Sequence, residues 1–326
     1  MGAKWFVALV VMAFAVSWEA RRGAAEVPMT PLVAFKGVID QKSSHEGYFT
    51  GPFGVSIGPA DRVYVADDLA HRLFVFDRTG QLLKTLGKHG QRAGELAWVD
   101  AVIVDADGRL YIADTGNDRV QILDADGKPL RTFGTNGTRS GHFKNPRGIA
   151  FDSEHNLYVV DWGNHRIQVF ATQGRFLRQF GGFGAGPGQF NHPIAMFINP
   201  QDHLYICDFH NHRVQVFDRT GHFLHTFGRP GHDDGELQQP SGITQDACGY
   251  LYVADAQNHR IQIFDQHGAF IGKFGSFGSQ LGELQYPTSV ALNSQRDLYV
   301  VDKGNRRLQI FRVLVGQSAG AGCAFR

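Results

Sequence analysis

The sequence predicts an all-β fold, a six-bladed β-propeller of four-stranded antiparallel blades whose ring is closed by an N-terminal strand. The first observation is a unit that occurs six times at a constant spacing of 47 residues. The second is that each unit contains short apolar runs separated by turn residues. The third is an extra strand-like segment before the first unit, which matches a strand missing from the last. A repeat of this length indicates units stacked in a ring or an array.

Each unit begins with a Tyr, followed three residues later by an Asp and five residues after that by an Arg. The Asp and Arg of the six copies are Asp67 and Arg72, Asp114 and Arg119, Asp161 and Arg166, Asp208 and Arg213, Asp255 and Arg260, and Asp302 and Arg307. Because every blade carries them, we interpret them as structural pairs. The Arg is expected to reach a nearby carboxylate and fix the loop between strands through charge-assisted hydrogen bonds.

The third unit shows how one blade is expected to be built. Its apolar runs are Gly148 to Phe151, Leu157 to Val160, Arg166 to Phe170 and Phe176 to Phe180. The segments between these runs are too short for helices and carry the Asp, Ser, Asn and Gly that tight hairpins favour. The second run is apolar on both faces, which is typical of a strand in a sheet packed between two neighbours. Four strands per blade follow.

The two ends of the repeat array predict how the ring closes. The sixth unit stops after its third run, Leu308 to Phe311, and the run Leu32 to Phe35 precedes the first complete unit. We expect Leu32 to Phe35 to supply the missing fourth strand, because open sheet edges promote aggregation. The repeats leave no room for a second domain, so we predict one propeller over residues 26–313 and a flexible tail over 314–326.

The first 25 residues differ from the repeats. Lys4 precedes a 14-residue apolar run from Trp5 to Trp18, and small residues follow up to Ala25. This order is typical of a secretory signal peptide, which predicts cleavage after Ala25 and a secreted or periplasmic mature protein without a transmembrane anchor. The alternative is an uncleaved anchor, although the run is shorter than the roughly 20 residues needed to span a bilayer.

Three cysteines raise the question of disulfides in an exported protein. Cys207 ends a second strand, whereas Cys248 lies in a hairpin before a second strand, so we expect the two at opposite faces and not paired with each other. Cys323 lies in the Gly- and Ala-rich tail. Stability is therefore not expected to depend on a disulfide framework.

The segments DWGNHRIQVF, DFHNHRVQVF and DAQNHRIQIF resemble the core of the NHL repeat. The resemblance covers Leu32 to Phe311 and implies a six-bladed propeller. It implies no single function, because NHL propellers occur in secreted enzymes, scaffolds and RNA-binding proteins. The first copy departs from the pattern, with Ala70 where the other copies have Asn and Phe74 where they have Gln.

A binding site in a repeat protein is expected where the copies differ on one face. The position after the repeated Asp reads Asp68, Thr115, Trp162, Phe209, Ala256 and Lys303. Trp162 and Phe209 are expected to be exposed on adjacent blades, and the connector into the third blade is basic. The candidate binding face therefore comprises Trp162, Phe209, His210, Arg139, Lys144 and Arg147. Such a face suits a protein or a small anionic or glycan ligand. Ordinary solvated loop residues are the alternative.

An enzymatic function is the main alternative to a binding scaffold. The peptidyl-hydroxyglycine amidating lyases resemble NHL propellers and hold zinc in the channel through histidines at the starts of innermost strands. The matching positions here are Phe53, Asp100, Arg147, Ile194, Ser241 and Thr288. None is His, so the metal triad does not carry over. A metal-dependent lyase or hydrolase with an altered site, using Asp100 and Arg147, stays open.

Cofactors and nucleic acids receive little support from the sequence. The repeated His165, His212 and His259 fit a structural role better than a zinc site, and no residue is predicted to be a metal ligand or catalytic. Asp105 and Asp107 start like a calcium loop but lack the downstream Glu. Calcium or zinc thus stays possible but unsupported. Nucleic acid is not an expected partner, because 32 basic residues nearly balance 31 acidic ones.

Overall fold

A computed structural model of the protein describes residues 32–40 and 49–314. These residues form six four-stranded antiparallel sheets, which are the blades of a propeller around a central channel. The all-β, six-bladed prediction is thereby confirmed. The predicted signal peptide lies outside the described residues, as does the predicted tail beyond Leu314. No helix in the described ranges is long and apolar enough to cross a membrane.

The strands follow one another with the same spacing in every blade. Blade 1 comprises β2 (Pro52–Ile57), β3 (Val63–Asp67), β4 (Arg72–Phe76) and β5 (Leu82–Leu86). Blade 2 comprises β6 (Val99–Val104), β7 (Leu110–Asp114), β8 (Arg119–Leu123) and β9 (Pro129–Phe133). Blade 3 comprises β10 (Pro146–Phe151), β11 (Leu157–Asp161), β12 (Arg166–Phe170) and β13 (Phe176–Gly181).

The second half of the ring repeats this order. Blade 4 comprises β14 (Pro193–Ile198), β15 (Leu204–Asp208), β16 (Arg213–Phe217) and β17 (Phe223–Phe227). Blade 5 comprises β18 (Pro240–Gln245), β19 (Leu251–Asp255), β20 (Arg260–Phe264) and β21 (Phe270–Phe274). Blade 6 comprises β22 (Pro287–Leu292), β23 (Asp297–Asp302), β24 (Arg307–Val313) and the N-terminal β1 (Val33–Ile39).

The ring is closed by β1, as the sequence predicted. This strand pairs antiparallel with β24, so that Val33 lies opposite Val313 and Phe35 opposite Phe311. The rings of Phe35 and Phe311 meet edge to face with 5.9 Å between centroids. Closure therefore combines a backbone ladder with aromatic packing, and it covers the edge that β24 would otherwise expose.

The hydrophobic core lies between neighbouring blades. Every second strand is fully buried along its length, which explains why these runs are apolar on both faces. Tyr158 of blade 3, for example, packs in one cluster with Met196 and Leu204 of blade 4. The first strands line the channel as a result, and the fourth strands form the outer edge of the ring.

The repeated Asp at the end of each second strand is the centre of a hydrogen-bond network. The fully buried carboxylate of Asp161 accepts hydrogen bonds from the backbone N–H of Lys144 at 2.8 Å and from Asn164 Nδ2 at 2.9 Å. It also accepts from Arg166 Nε at 2.7 Å and Gln168 Nε2 at 3.0 Å. A charge that burial alone would make costly is thus fully paired.

The same Arg–Asp ion pair forms in five of the six copies. The other pairs, measured from Arg Nε to Asp Oδ2, are Arg119 with Asp114 at 2.6 Å, Arg213 with Asp208 at 2.9 Å, Arg260 with Asp255 at 2.8 Å and Arg307 with Asp302 at 2.6 Å. Each Arg also donates to backbone carbonyls of the preceding connector. The network therefore holds the second strand, the third strand and the connector together.

The expected pair of the first copy is not formed. Arg72 is exposed, and among the described residues it donates only weakly, to the carbonyl of Ala70 at 3.4 Å. Asp67 instead accepts hydrogen bonds from the backbone N–H groups of Thr50, Gly51 and Ala70. The Asn and Gln bonds of the other copies are also absent here, because Ala70 provides no side-chain donor and Phe74 packs into the apolar core.

The cysteines confirm one expectation and correct another. Cys207 at β15 is free and fully buried, so it does not pair with Cys248. Cys248 is disulfide-bonded, however, so the structure contains a disulfide where the sequence led us to expect no disulfide framework. The positions of Cys207 and Cys248 exclude their pairing with each other but not a disulfide of Cys248 elsewhere. Cys323 lies outside the described residues.

Candidate functional site at the channel mouth

Two rings of equivalent positions surround one end of the channel, which we call the channel mouth. The inner ring consists of the residues that open the innermost strands, Phe53, Asp100, Arg147, Ile194, Ser241 and Thr288. The outer ring consists of the residues that follow the buried Asp of each blade, Asp68, Thr115, Trp162, Phe209, Ala256 and Lys303. Both rings vary between copies, whereas the surrounding network repeats. The channel encloses about 320 Å³.

Strand pairing places the two rings at the same end of the blades. In blade 3, Pro146 at the start of β10 lies opposite Asp161 at the end of β11. A one-turn 3-10 helix, Trp162–Asn164, follows Asp161 and ends at His165, which has a left-handed backbone with φ of 55°. The turn thereby directs Trp162 towards Arg147, whose guanidinium carbon lies 4.9 Å from the indole centroid.

Asp100 and Arg147 form the polar centre of the inner ring. Arg147 Nη1 lies 2.8 Å from Asp100 Oδ2, and Asp100 is only 5% exposed. The ion pair is not aligned as a hydrogen bond, and neither Asp100 Oδ2 nor Arg147 Nε has a hydrogen-bond partner among the described residues. Burial raises the pKa of Asp100 to about 6, although the charge of Arg147 acts in the opposite direction.

A second ion pair lies beside the first. Lys303 Nζ is 2.7 Å from Asp68 Oδ2 and 4.4 Å from the ring centroid of Phe53. The guanidinium of Arg147 lies 5.4 Å from the same ring, so Phe53 contacts both cations. The charge of Asp68 contributes to the raised pKa of Asp100. Four charges therefore follow one another around the part of the mouth formed by blades 6, 1, 2 and 3.

The other side of the mouth is aromatic. Trp162 and Phe209 are half-buried and pack with Ile194 in one cluster. The imidazole of His192 lies 4.2 Å from the Trp162 ring, centroid to centroid, and His192 Nδ1 is 3.1 Å from His210 Nδ1. Burial, together with the neighbouring His, Arg and Lys charges, lowers the pKa of His192 to about 4. The imidazole of His192 is therefore uncharged at neutral pH.

The structure brings together most of the candidate binding face. Arg147, Trp162, Phe209 and His210 meet at the mouth. Lys144 is exposed at its flank, where its carbonyl accepts a hydrogen bond from Gly163 N at 2.8 Å.

Arg139 is not brought to the mouth. It is exposed on the outer part of the connector, and its carbonyl accepts a hydrogen bond from Arg166 Nη2 at 2.9 Å. Phe53, Asp68, His192 and Lys303 belong to the site without having been assigned to the face. Their signal in the sequence was variation between copies at three positions of the repeat.

The repeated histidines are not arranged as metal ligands. His165 Nδ1 accepts a hydrogen bond from the backbone N–H of His192 at 3.0 Å, and His212 and His259 make the same contact with Gln239 and Tyr286. The described ranges contain no group of three or more His, Cys, Asp or Glu side chains that could hold a metal ion. A lone pair that accepts a backbone proton is unavailable to a metal.

Comparison with family models agrees with the architecture. The model described as a six-bladed β-propeller matches residues 58–137 and 138–231, which is just over half of the chain. The NHL repeat model matches residues 237–264 and 284–311. A search of curated proteins found no relative of this sequence.

Comparison with solved structures shows the same fold with low sequence identity. A gluconolactonase from Xanthomonas campestris has a TM-score of 0.65 and 14% identity, covering 86% of this chain and 90% of that protein. An auxiliary nutrient binding protein from Bacteroides thetaiotaomicron has a TM-score of 0.63 and 16% identity, covering 81% and 69%. A catalytically inactive variant of virginiamycin B lyase from Staphylococcus aureus with quinupristin has a TM-score of 0.58 and 15% identity, covering 88% and 91%.

Proposed function

Because the chain belongs to the six-bladed β-propeller family and carries NHL repeats, we propose that it is an exported binding protein that holds a protein or small ligand at its channel mouth. The fold alone does not choose between binding and catalysis, since propellers carry unrelated activities. The observation that carries the proposal is the contrast between a repeated structural network and a mouth whose residues differ in every blade.

The chemistry of the mouth fits a ligand site. Concave sites typically combine apolar and aromatic walls with a few polar groups that fix the ligand's orientation. Here the aromatic side, with Trp162 and Phe209, faces the charged side, with Asp100 and Arg147. Buried polar atoms without hydrogen-bond partners, such as Asp100 Oδ2 and Arg147 Nε, are rare in purely structural regions. The nutrient-binding neighbour supports a binding role for the same fold.

A thermal-unfolding screen tests the proposal. We expect a small molecule or peptide from a mixed collection to raise the unfolding temperature, because a ligand that binds only the folded state stabilises it. Each hit is then titrated against the Trp98→Phe variant of the chain from Glu26 onward, which lacks Trp5 and Trp18, so that the fluorescence of Trp162 reports directly on the mouth. A hit that leaves this fluorescence unchanged, and that binds the Arg147→Gln variant as tightly as the wild type, would place binding elsewhere and contradict the proposal.

The second candidate function is a lyase or hydrolase, and the state of Asp100 is the observation in its favour. A buried carboxyl with a pKa of about 6 can exchange a proton near neutral pH, as a general acid or base must. Two of the structurally similar proteins, the virginiamycin B lyase and the gluconolactonase, are named as enzymes. The metal-dependent form of this candidate does not fit, because among the described residues that line the channel Asp100 is the only carboxylate and none is His or Cys.

This candidate predicts turnover that depends on Asp100. Incubation with glucono-lactone and with quinupristin, followed by mass spectrometry, tests the two substrate classes suggested by the neighbours. Product formation by the wild type that is lost in Asp100→Asn would favour the enzyme. Elemental analysis of the purified chain after dialysis tests a bound metal independently.

A further inference from the structure

The channel has a charged rim above a mostly apolar interior, in which the hydroxyl side chains of Ser56, Thr244 and Ser289 also take part. Asp100 and Arg147 lie at the rim, and the strands continue inward with Val102, Ile149 and Met196, among other apolar residues. The ligand that complements this lining has a polar head and an apolar body. A cavity of about 320 Å³ is near the lower end of the usual range for ligand sites, so the body is small.

The rim sets the hydrogen-bonding groups of that head. Asp100 Oδ2 needs a donor and Arg147 Nε needs an acceptor, and the two side chains are in contact. Both are strongly buried, with 5% of the Asp100 side chain and 22% of the Arg147 side chain exposed. The ligand must therefore present a donor and an acceptor next to each other, and groups that match charged partners form the stronger bonds.

The charges of the rim favour a head with no net charge. Asp68 and Asp100 supply two negative charges, and Lys303 and Arg147 supply two positive ones. A simple carboxylate would meet Arg147 but also lie near two other carboxylates. A simple amine would satisfy Asp100 and leave Arg147 Nε without an acceptor. An ammonium beside a carboxylate satisfies both sides and keeps the balance, whereas an ammonium beside a carbonyl oxygen satisfies both sides and adds one positive charge.

We propose that the channel binds an apolar α-amino acid, either free or as the N-terminal residue of a peptide. In the free protein the two side chains cover each other, so the Arg147 guanidinium must turn away from Asp100 when the ligand binds. The α-ammonium then donates to Asp100 Oδ2, and the carboxylate or carbonyl oxygen accepts from Arg147 Nε. The apolar side chain extends into the channel beside Val102, Ile149 and Met196. This inference rests on the proposed binding function and specifies its ligand.

Isothermal titration calorimetry with the purified full chain tests the inference. The probes are L-phenylalanine, L-phenylalanylglycine, N-acetyl-L-phenylalanine, phenethylamine and D-glucose. We expect binding of phenylalanine or its dipeptide, and an affinity lower by about 10- to 100-fold for N-acetyl-L-phenylalanine and for phenethylamine, because each lacks one charge-assisted hydrogen bond. Asp100→Asn should weaken phenylalanine binding by a similar factor, and Arg131→Gln, on the exposed outer strand of blade 2, should not.

The outcomes distinguish a failure of the amino-acid inference from a failure of the proposed binding function. Tighter binding of the dipeptide than of phenylalanine identifies a peptide N-terminus, and the reverse order identifies a free amino acid. Equal binding of the acetylated probe overturns the inference, as does binding of glucose alone. In either case the Trp162 fluorescence titration decides whether the probe binds at the mouth. No binding of any probe also overturns the inference, and the fluorescence screen then decides whether another ligand binds at the mouth.

Discussion

His165 Nδ1 accepts a hydrogen bond from the backbone N–H of His192 at 3.0 Å, and this contact links blade 3 to the connector that enters blade 4. The equivalent contacts are His71 with Trp98 at 3.0 Å, His212 with Gln239 at 3.1 Å and His259 with Tyr286 at 3.1 Å. In blade 2 an aspartate replaces the histidine, and Asp118 Oδ1 accepts the equivalent hydrogen bond from Asn145 N at 2.7 Å. The repeated imidazoles therefore join blades.

These links predict a loss of stability in mild acid. An imidazole nitrogen that accepts a hydrogen bond must be unprotonated, and burial lowers the pKa of His71, His165, His212 and His259 below 6.5. The unfolded chain consequently binds more protons than the folded one. The stabilisation is complete above about pH 6.5 and decreases as the pH falls towards the lower folded values. Denaturant unfolding at pH 8 and pH 5 measures it.

The chain offers its own control for this pH effect. His165→Asp should keep the link to His192, because Asp118 shows that a carboxylate accepts the same bond. We expect this variant to lose less stability than the wild type between pH 8 and pH 5. An identical loss in both proteins would show that His165 does not contribute to the acid sensitivity.

The Asp–Arg pairs predict that the copies differ in their tolerance of substitution. Arg166→Ala removes one partner of a buried ion pair and leaves Asp161 with fewer donors. The expected loss is about 3 to 5 kcal/mol in the free energy of unfolding, because an uncompensated buried charge is costly. Urea unfolding at pH 7.5 measures the change, and binding at the mouth should be retained wherever the variant is folded.

Arg72→Ala is the matched control in blade 1. Arg72 is exposed and has no ion pair with Asp67, so its loss should change the free energy of unfolding by no more than about 0.5 kcal/mol. Equal destabilisation by Arg166→Ala and Arg72→Ala would contradict the structural interpretation of the pairs.

The sequence predicted the fold because the information that determines it is local and repeated. The apolar run Leu157 to Val160 shows a strand buried on both faces, and the lone run at Leu32 shows how the ring closes. The sequence showed Phe74 as a departure from the repeat. Only the structure shows that Phe74 packs in the core of blade 1 and that the Asp67–Arg72 pair is absent from the same blade.

The candidate site was less predictable because it depends on contacts between blades. Arg139 and Arg147 belong to one basic stretch, but the connector carries the first to the outer edge and the second to the channel. Phe53 and Lys303 are far apart in sequence and meet only because blade 6 adjoins blade 1. No short-range pattern contains such a contact.

The raised pKa of Asp100 predicts that Asp100→Asn gains stability relative to the wild type as the pH rises. The folded state binds the Asp100 proton more tightly than the unfolded state does. The free energy of unfolding of the wild type therefore falls as the pH rises from about 4 to about 6, and it stays at the lower value above pH 6. A pKa of about 6 against 3.8 corresponds to about 3 kcal/mol. Urea unfolding of both proteins from pH 4 to pH 7.5 measures the difference, in which the shared histidine effects cancel. A constant difference would mean that Asp100 titrates normally.

The aromatic side of the mouth gives the last prediction. Trp162 and Phe209 are half-buried beside Ile194, and aromatic residues in such positions contribute a large share of binding energy. The Trp162→Ala, Phe209→Ala double variant should therefore bind the ligand found by screening at least about tenfold more weakly, which corresponds to about 1.4 kcal/mol. The control is the Phe183→Ala, Phe277→Ala double variant, whose rings are 69% and 65% exposed and contact His165 and His259.

Circular dichroism of each variant separates lost binding from lost folding. If the Trp162, Phe209 double variant is unfolded, Trp162→Phe with Phe209→Leu preserves apolar volume and provides the second test. The control pair should bind as the wild type does, because its rings lie on the connectors of blades 4 and 6 rather than in the cluster beside Ile194. Undiminished binding by a folded Trp162, Phe209 variant would exclude this side of the mouth, because ligand contact with either ring requires a loss of affinity.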